Sequence, residues 1–394
     1  MYRDQLFRRT AFTSFVGVPP YFKTGMRMKS GLKTTAFYPV LEPYMTEVKL
    51  HNTYLKPDQI SDPVEEYWAL REVAGLWDVT GEEVIEISGP GAEELVDKLV
   101  PRNMSKVKDG WCVFAIMCYE YGGIVEDAIL VRFNSERFWW VGGPGWAEQW
   151  IFSKSVGTKV KIVSLLDEIH VASIQGPKSR TILQQVTDFD LDGLAYFGMV
   201  QAMVCGVPVT ITRTGFTAEL GYDLYVSVED GEKMFRGLWK TGKPSGMKLC
   251  GSRALNIRRT EASILNFGQD FDWSHNPYEI GLGRMVDLNK SFFYGQEALK
   301  KMADDPIERC IVGLEVSADY AVEHGASVRY EKQTVGRISS ALMSPALSKS
   351  IAISMVPPAI TKLGTSVEIE SQGALLDAKI VPMPFFDPER RLSK

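Results

Sequence analysis

Cysteine and histidine are scarce in this chain of 394 residues. The five cysteines are scattered and form no C-x-x-C pair, and the four histidines lie far apart without the spacing of metal ligands. Isolated thiols of this kind are typical of reduced, mostly buried cysteines in a cytoplasmic protein. We therefore expect a cytoplasmic protein with reduced cysteines and no metal site.

The chain also lacks an excess of basic residues and any long apolar run. The net charge is −5 and the pI is near 5.6, whereas nucleic-acid binding normally requires a basic field. No apolar stretch approaches the ~20 residues that span a bilayer. The glycine cluster Gly142–Gly145 lacks the G-x-G-x-x-G spacing of a dinucleotide site, and no Cys/His or Ser/His pairing indicates a covalent nucleophile. We expect no nucleic-acid partner and no membrane partner.

Composition and pattern divide the chain into three parts. Residues 1–35 form an arginine-rich arm, which we expect to pack on the body or on a second subunit, making a homo-oligomer through the arm. Residues 36–305 form the body. Residues 306–394 consist of short alternating segments separated by Gly, Pro and Asp, which is typical of a small antiparallel β barrel.

Inside the body, the chain repeats one pattern. A strand, a Gly-Pro step and a helix follow one another at 84–100 and again at 171–186. Two such units predict a pseudo-duplicated α+β body, in which each half is a small sheet with helices on one face. The predicted fold class is therefore α+β with a C-terminal antiparallel barrel.

A strand pair at 207–226 places Glu219 among apolar neighbours after the sharp turn at Thr214-Gly215. A carboxylate in such surroundings costs several kcal/mol unless it is paired. One interpretation is an ordinary hairpin whose glutamate points to water or meets a structural arginine. The other is that Glu219 accepts two parallel hydrogen bonds from a flat heterocycle with adjacent N–H donors.

A second acidic feature is the pair Glu126-Asp127 within an apolar strand. Adjacent strand residues face opposite sides, so one acid is expected to meet solvent and the other to look inward. Both could instead be solvated on an edge strand. Tryptophans follow at 139, 140, 146 and 150; such residues are more often core, but they can also line a pocket for a methylated cation.

Residues 214–223, TGFTAELGYD, resemble the T-G-Y-T-G-E-x-G-Y-E signature of the glycine-cleavage T-protein family. That family comprises tetrahydrofolate-dependent aminomethyltransferases and demethylases, and the first glutamate of its signature holds the pterin ring. The resemblance implies this role for Glu219. Phe216 and Ala218 depart from the signature, and Ala218 predicts an altered turn if that position requires a positive φ.

The resemblance extends over about residues 36–390 and implies the family's cloverleaf arrangement. Gly122–Asp127 resembles G-G-x-x-D-D, whose first acid lies beside the reactive folate nitrogens; that acid aligns with Glu126, and Asp127 could share or take over the role. Either is therefore expected to be catalytic. The residues that the resemblance assigns to cofactor binding are Glu219, Arg253, Tyr222 and Phe197. The candidate substrate pocket consists of Trp139, Trp140, Trp146 and Tyr278.

These features favour a tetrahydrofolate-dependent one-carbon transferase that demethylates a small methylated donor. The donor would be an amine, a sulfonium or a methoxy compound, and the methyl group would pass to N5 of tetrahydrofolate. One alternative is an aminomethyltransferase acting on an aminomethyl-lipoyl protein. Another is a folate-binding sensor or assembly factor without turnover.

Overall fold

The computed structural model describes residues 32–143 and 146–393. The predicted arm of residues 1–35 lies almost entirely outside these ranges, so an oligomer formed through it stays a prediction. Within the described ranges, no helix is long and apolar enough to cross a membrane.

Short helices alternate with the strands of the body. In chain order the strands are β1 (Lys33–Thr34), β2 (Glu47–His51), β3 (Tyr54–Gln59), β4 (Gly75–Asp78), β5 (Glu83–Ser88), β6 (Trp111–Cys118), β7 (Ile124–Asn134), β8 (Arg137–Gly142), β9 (Lys161–Ser164), β10 (Ile169–Gln175), β11 (Met199–Val204), β12 (Val207–Thr212), β13 (Gly221–Ser227) and β14 (Lys248–Leu249). The helices are α1 (Tyr38–Leu41), α2 (Pro63–Glu72), α3 (Ala92–Leu99), α4 (Ala147–Ser155), α5 (Ser179–Gln184), α6 (Val228–Gly242), α7 (Ser252–Glu261) and α8 (Gln296–Asp304).

Three sheets build the body. A six-stranded sheet has the order β11-β12-β13-β10-β4-β14, a five-stranded sheet has the order β6-β7-β8-β5-β9, and β1, β3 and β2 form a small sheet. The repeated pattern places one unit in each large sheet: β5 leads through Gly89-Pro90 into α3, and β10 leads through Gly176-Pro177 into α5. Both glycines have a strongly positive φ, and a Cβ on Gly176 would lie 2.5 Å from the Leu70 carbonyl oxygen. The Gly-Pro step is therefore required by the close turn from strand to helix.

Each large sheet buries one face under its own helices, and the two remaining faces pack against each other. Val171 and Tyr225 of the six-stranded sheet share an apolar cluster with Val131 and Trp139 of the five-stranded sheet. We call the two faces that meet there the inner faces. Side chains alternate along a strand, so every second residue of β7 and β13 belongs to an inner face.

The C-terminal strands close a barrel in the order β15-β18-β17-β16-β19-β20, and its sequential pairs are antiparallel. These strands are β15 (Cys310–Val316), β16 (Ser327–Tyr330), β17 (Gln333–Ser344), β18 (Lys349–Val356), β19 (Ser366–Ser371) and β20 (Ala374–Val381). The end of α7 ties the barrel to the body, because the buried Glu261 accepts hydrogen bonds from Ser344 at 2.5 Å and from Tyr67 at 2.8 Å. The predicted fold class is confirmed.

Candidate active site

The loop between β12 and β13 is held by Gln175, which lies beneath it. The Gln175 amide donates to the Thr214 carbonyl oxygen at 3.1 Å and accepts from the Thr217 hydroxyl at 2.9 Å. A Cβ on Gly215 or on Gly221 would approach the Gln175 side chain to within 2.4 Å. The glycines of the signature therefore make room for the side chain that fixes the loop.

Ala218 adopts the left-handed conformation with φ of 53°. The sequence predicted an altered turn at this position if a positive φ was required there. The structure keeps the positive φ with an alanine in place, although its Cβ makes this conformation unfavourable by about 1 kcal/mol. A hydrogen bond beside Ala218 stabilises this conformation: the N–H of Glu219 donates to the Thr217 hydroxyl at 3.2 Å.

Glu219 is buried and pairs with two guanidinium groups. Its Oε1 accepts from Arg258 Nε at 2.8 Å and also from Arg71 Nη1. This is the structural-arginine interpretation that the sequence left open. Both pairs use the same oxygen, and Oε2 accepts no hydrogen bond from the residues that the structure describes. Glu219 therefore offers one oxygen, Oε2, that no described residue occupies as a donor.

Glu126 faces the helices of its own sheet. Its carboxylate accepts from Trp140 Nε1 at 3.0 Å and from the N–H groups of Trp146 and Ala147, each at 3.2 Å, at the start of α4. Burial raises its pKa to about 7 even though the Trp140 bond lowers it. A Cβ on Gly142 would lie 2.1 Å from Oε1, so glycine is needed there. These contacts anchor α4 to the sheet.

Asp127 lies on the opposite side of β7, on the inner face. Among the described residues, no other residue donates a hydrogen bond to its carboxylate. Its side chain remains partly accessible, and burial raises its pKa to about 7. Strand alternation correctly places the two acids on opposite faces, and Asp127 is the one that looks inward. The prediction that the other acid meets solvent is wrong, because Glu126 is buried beneath the helices of its sheet.

Two further acids accompany Asp127, and sequence reasoning did not single them out. Burial raises the pKa of Glu82, and the charges of Asp223 and Asp127 raise it further, while Lys56 opposes the shift. Asp223 lies on the inner face of β13 and accepts from the Ser173 and Thr214 hydroxyls, each at 2.6 Å. Burial lowers the pKa of Lys56, whose ammonium group lies 2.9 Å from His51 Nδ1. Asp127 and Asp223 thus both lie near enough to Glu82 for their charges to act on it, and Lys56 is the lysine that opposes them there.

The structure does not bring the other predicted cofactor residues to Glu219. Arg253 is half exposed on α7 and donates to Asp58 at 2.9 Å and Gln59 at 2.7 Å, and to Glu47. Tyr222 points into the core beneath the six-stranded sheet, away from the inner face, and its hydroxyl accepts from Arg180 at 3.2 Å. Phe197 is half-buried at the rim of the inner faces, and its carbonyl oxygen accepts from the Cys112 N–H at 2.7 Å.

The predicted aromatic pocket is dispersed in the same way. Trp139 packs on the inner face against Tyr225, whereas its neighbour Trp140 points to the opposite side and donates to Glu126. Trp146 is 47% exposed, with its ring edge-on to Trp273. Tyr278 belongs to a separate cluster, where its hydroxyl donates to the Leu299 carbonyl oxygen at 3.1 Å. Most of these rings therefore form core rather than one shared wall.

Arg71 and Arg258 are the residues that sequence reasoning missed beside Glu219. Arg258 is completely buried, and its Nη1 and Nη2 have no hydrogen-bond acceptor within the described ranges. Both guanidinium groups lie over the ring of Phe386, at 4.6 Å from Arg71 and 5.5 Å from Arg258. The two adjacent arginines at 258 and 259 were a signal from which Arg258 could have been predicted. Nothing in the spacing of the sequence predicted a contact between Arg71 and Glu219.

Across the part of the chain that the structure describes, no group of three or more His, Cys, Asp or Glu residues is arranged to hold a metal ion.

Residues 30–290 match the GCVT N-terminal domain, and residues 309–387 match the glycine cleavage T-protein C-terminal barrel domain. An aminomethyltransferase of Anoxybacillus flavithermus is 31% identical over 360 residues, covering 90% of this chain and 99% of that protein. A trimethylamine-oxide aldolase of Ruegeria pomeroyi is 34% identical over 343 residues, covering 83% of this chain. This chain spans 43% of the aldolase's length.

A solved structure has the same fold. The glycine cleavage system aminomethyltransferase T from Bartonella henselae aligns with a TM-score of 0.84 over 91% of this chain and 99% of that chain, at 23% identity. The double-sheet body and closed barrel are thus the fold of the glycine cleavage T proteins. The chain belongs to the glycine-cleavage T-protein family, whose enzymes use tetrahydrofolate.

Proposed function

We propose that this protein binds tetrahydrofolate and transfers to it a methyl group from a small, positively charged methylated donor. The observation that supports this most directly is Asp127, an inward-facing carboxyl group without a hydrogen-bond partner from another described residue and with a pKa near 7. Burial raises this pKa into the range where a group can exchange protons at neutral pH.

Glu219 has the properties needed to hold the ring. Tetrahydrofolate, when bound, supplies a nucleophilic ring nitrogen that takes up the one-carbon group. Glu219 pairs with Arg71 and Arg258 through Oε1, and its Oε2 can accept from the adjacent N–H donors of a pterin. Hydrogen bonds to a charged group contribute about 1.5–3 kcal/mol each, so Glu219 orients the ring as well as binding it.

Asp127 serves as the proton acceptor in this proposal. As the carbon–nitrogen bond forms and the bond from carbon to the donor's heteroatom breaks, the electron pair of the broken bond stays with the heteroatom. The nitrogen must then release its proton, and an ionised Asp127 accepts it. Placement of donor and acceptor supplies the larger part of the acceleration, which corresponds to about 7–11 kcal/mol in well-oriented reactions.

The acids of the inner faces favour a cationic donor. Glu82, Asp127 and Asp223 raise the local negative potential, and Lys56 compensates part of it. A sulfonium or methylated ammonium group entering this space would relieve their mutual repulsion, whereas a neutral methoxy compound would not. The name of the trimethylamine-oxide aldolase supports a small methylated donor as well.

A panel assay tests the proposal. The protein is incubated with tetrahydrofolate and, separately, sulfonium salts, methylated amines and methoxy-aromatic compounds, and methyl- and methylene-folates are measured by mass spectrometry. Methyl-folate formed from a cationic donor supports the proposal. Binding of tetrahydrofolate without turnover of any donor would favour the sensor instead.

The aminomethyltransferase is a second candidate, because relatives with that name align over nearly their whole length, 99% and 100% for two of them. Its test is a lipoyl protein carrying an aminomethyl group, with release of ammonia and formation of methylene-folate as the readout. A positive result with that substrate and none with the small donors would replace the first proposal.

A further inference from the structure

Two adjacent glycines lie where β8 ends, and the fold requires only the first of them. A Cβ on Gly142 would lie 2.1 Å from Glu126 Oε1. A Cβ on Gly143 would have no atom of the described residues within 4 Å, its chain neighbours aside, and the φ of Gly143 lies outside the left-handed range. Among the glycines that the structure describes, only Gly193 shares both properties. Neither backbone conformation nor packing therefore explains why position 143 has no side chain.

The register of the five-stranded sheet sets Gly143 between two acids. Gly142 pairs with β7 on one side and with β5 on the other. Continuing this antiparallel register by one residue places Gly143 level with Asp127 and Glu82. Because side chains alternate along a strand, all three positions belong to the inner face. Two strand spacings, about 10 Å, separate the backbones of the two acids, and we call the space over Gly143 between them the gap.

The gap has carboxyl groups on two sides and a fixed backbone beneath it. Asp127 and Glu82 are both partly accessible, and neither makes an ion pair with a described residue. The Asn52 amide donates to the Gly143 carbonyl oxygen at 3.4 Å and also to the Gly81 carbonyl oxygen, so it joins the segments that carry Gly143 and Glu82. Such a space suits a group that is positively charged and yet covered with methyl groups, because its charge meets the acids and it needs no hydrogen-bond acceptor.

We propose that Gly143 determines how large a methylated cation the site accepts, because the methyl groups that are not transferred lie in the gap. The inference rests on the proposed methyl transfer from a cationic donor. A sulfonium donor keeps two substituents when its methyl group leaves, whereas a quaternary ammonium donor keeps three. The open position at 143 therefore admits quaternary ammonium donors as well as sulfonium donors.

Trimethylsulfonium and tetramethylammonium differ by one methyl group and test the inference. We expect the unaltered protein to form methyl-folate from both, with release of dimethyl sulfide and trimethylamine. Gly143→Ala should lower kcat/KM for tetramethylammonium about 10- to 200-fold more than for trimethylsulfonium, since one carbon atom in a filled pocket has an effect of this size. Calorimetry of each cation with the protein in the absence of folate should show the same selective loss of affinity.

Gly193→Ala is the matched control. Gly193 also has open space and an ordinary φ, but it is exposed in the connection between α5 and β11, so its variant should keep both activities. Glu82→Gln removes a charge with little change in size and should lower kcat/KM for both cations by similar factors. The ratio between the two cations is the decisive quantity, because it does not depend on the folded fraction of a variant.

An unchanged ratio in Gly143→Ala would overturn the inference, whether the variant keeps both activities or loses both equally. Use of trimethylsulfonium but not tetramethylammonium by the unaltered protein would overturn it as well. Turnover of neither cation by the unaltered protein would instead overturn the proposed function itself.

Discussion

Glu219 and Asp127 are both acids inside the body, and their surroundings differ. Glu219 is paired with two guanidinium groups through one oxygen. Asp127 has no such partner among the residues that the structure describes, and burial raises its pKa to about 7. The difference shows how one protein can prepare one carboxylate to bind and another to exchange a proton, because one acid is paired with cations and the other is buried without such a pair.

The largest effect should come from removing the proton acceptor. Asp127→Asn keeps the shape of the side chain but cannot accept a proton, so we expect turnover to fall about 100- to 10,000-fold. Folate affinity measured by calorimetry should change little. Since Asp127 must be ionised, turnover of the unaltered protein should rise with pH through about 7. Normal turnover by Asp127→Asn would show that the inward-facing acid is not the acceptor.

Glu219→Gln should act on binding instead. The amide keeps an acceptor oxygen but loses its charge, so we expect folate affinity to fall about 10- to 100-fold. The variant also leaves Arg71 and Arg258 without a counter-charge, and breaking a buried pair typically costs about 3–5 kcal/mol. Binding should therefore be measured below the melting temperature of the variant. Unchanged affinity in a folded variant would remove Glu219 from the ring site.

Glu126 provides the matched comparison for its neighbour Asp127. Glu126→Ala leaves the Trp140 and Ala147 N–H groups without an acceptor, which should lower the free energy of unfolding by about 1–3 kcal/mol. Glu126→Gln keeps an acceptor oxygen, so its free energy of unfolding should fall by less. Denaturant unfolding measures both, and turnover per folded molecule should stay near normal. A large loss of turnover in Glu126→Gln would return the catalytic role to this residue.

The smallest effect concerns the loop that carries Glu219. Ala218→Gly removes the Cβ from a left-handed residue, so we expect the free energy of unfolding to rise by about 1 kcal/mol. Folate affinity should stay the same if the loop already has its binding conformation. A drop in affinity with raised stability would mean that the alanine restricts the loop in a way that binding requires.

Strand periodicity in the sequence was sufficient to predict several local features. It placed Glu126 and Asp127 on opposite faces of one strand, and the structure shows Glu126 beneath the helices and Asp127 on the inner face. The repeated strand, Gly-Pro and helix pattern predicted the duplicated body because both signals arise within some 20 residues of chain. The alternating segments after residue 306 predicted the barrel for the same reason.

The partners of the acids depend on contacts between distant segments. Arg71 meets Glu219 across 148 residues, and Arg258 meets it across 39. The family resemblance implied Arg253 as the arginine of the site, but the turn of α7 directs Arg253 to the surface and Arg258 inward. The four aromatic residues were likewise predicted to line one pocket, but the strands and loops that carry them place their rings apart.

The sequence by itself determined the elements, their faces and the repeat, since periodicity and turn chemistry are properties of neighbouring residues. Only the tertiary structure decided which carboxylate has a counter-charge and which does not, because two sheets had to pack before Glu82, Asp127 and Asp223 could face one another. Electrostatic interactions between such charged groups act through space rather than along the chain.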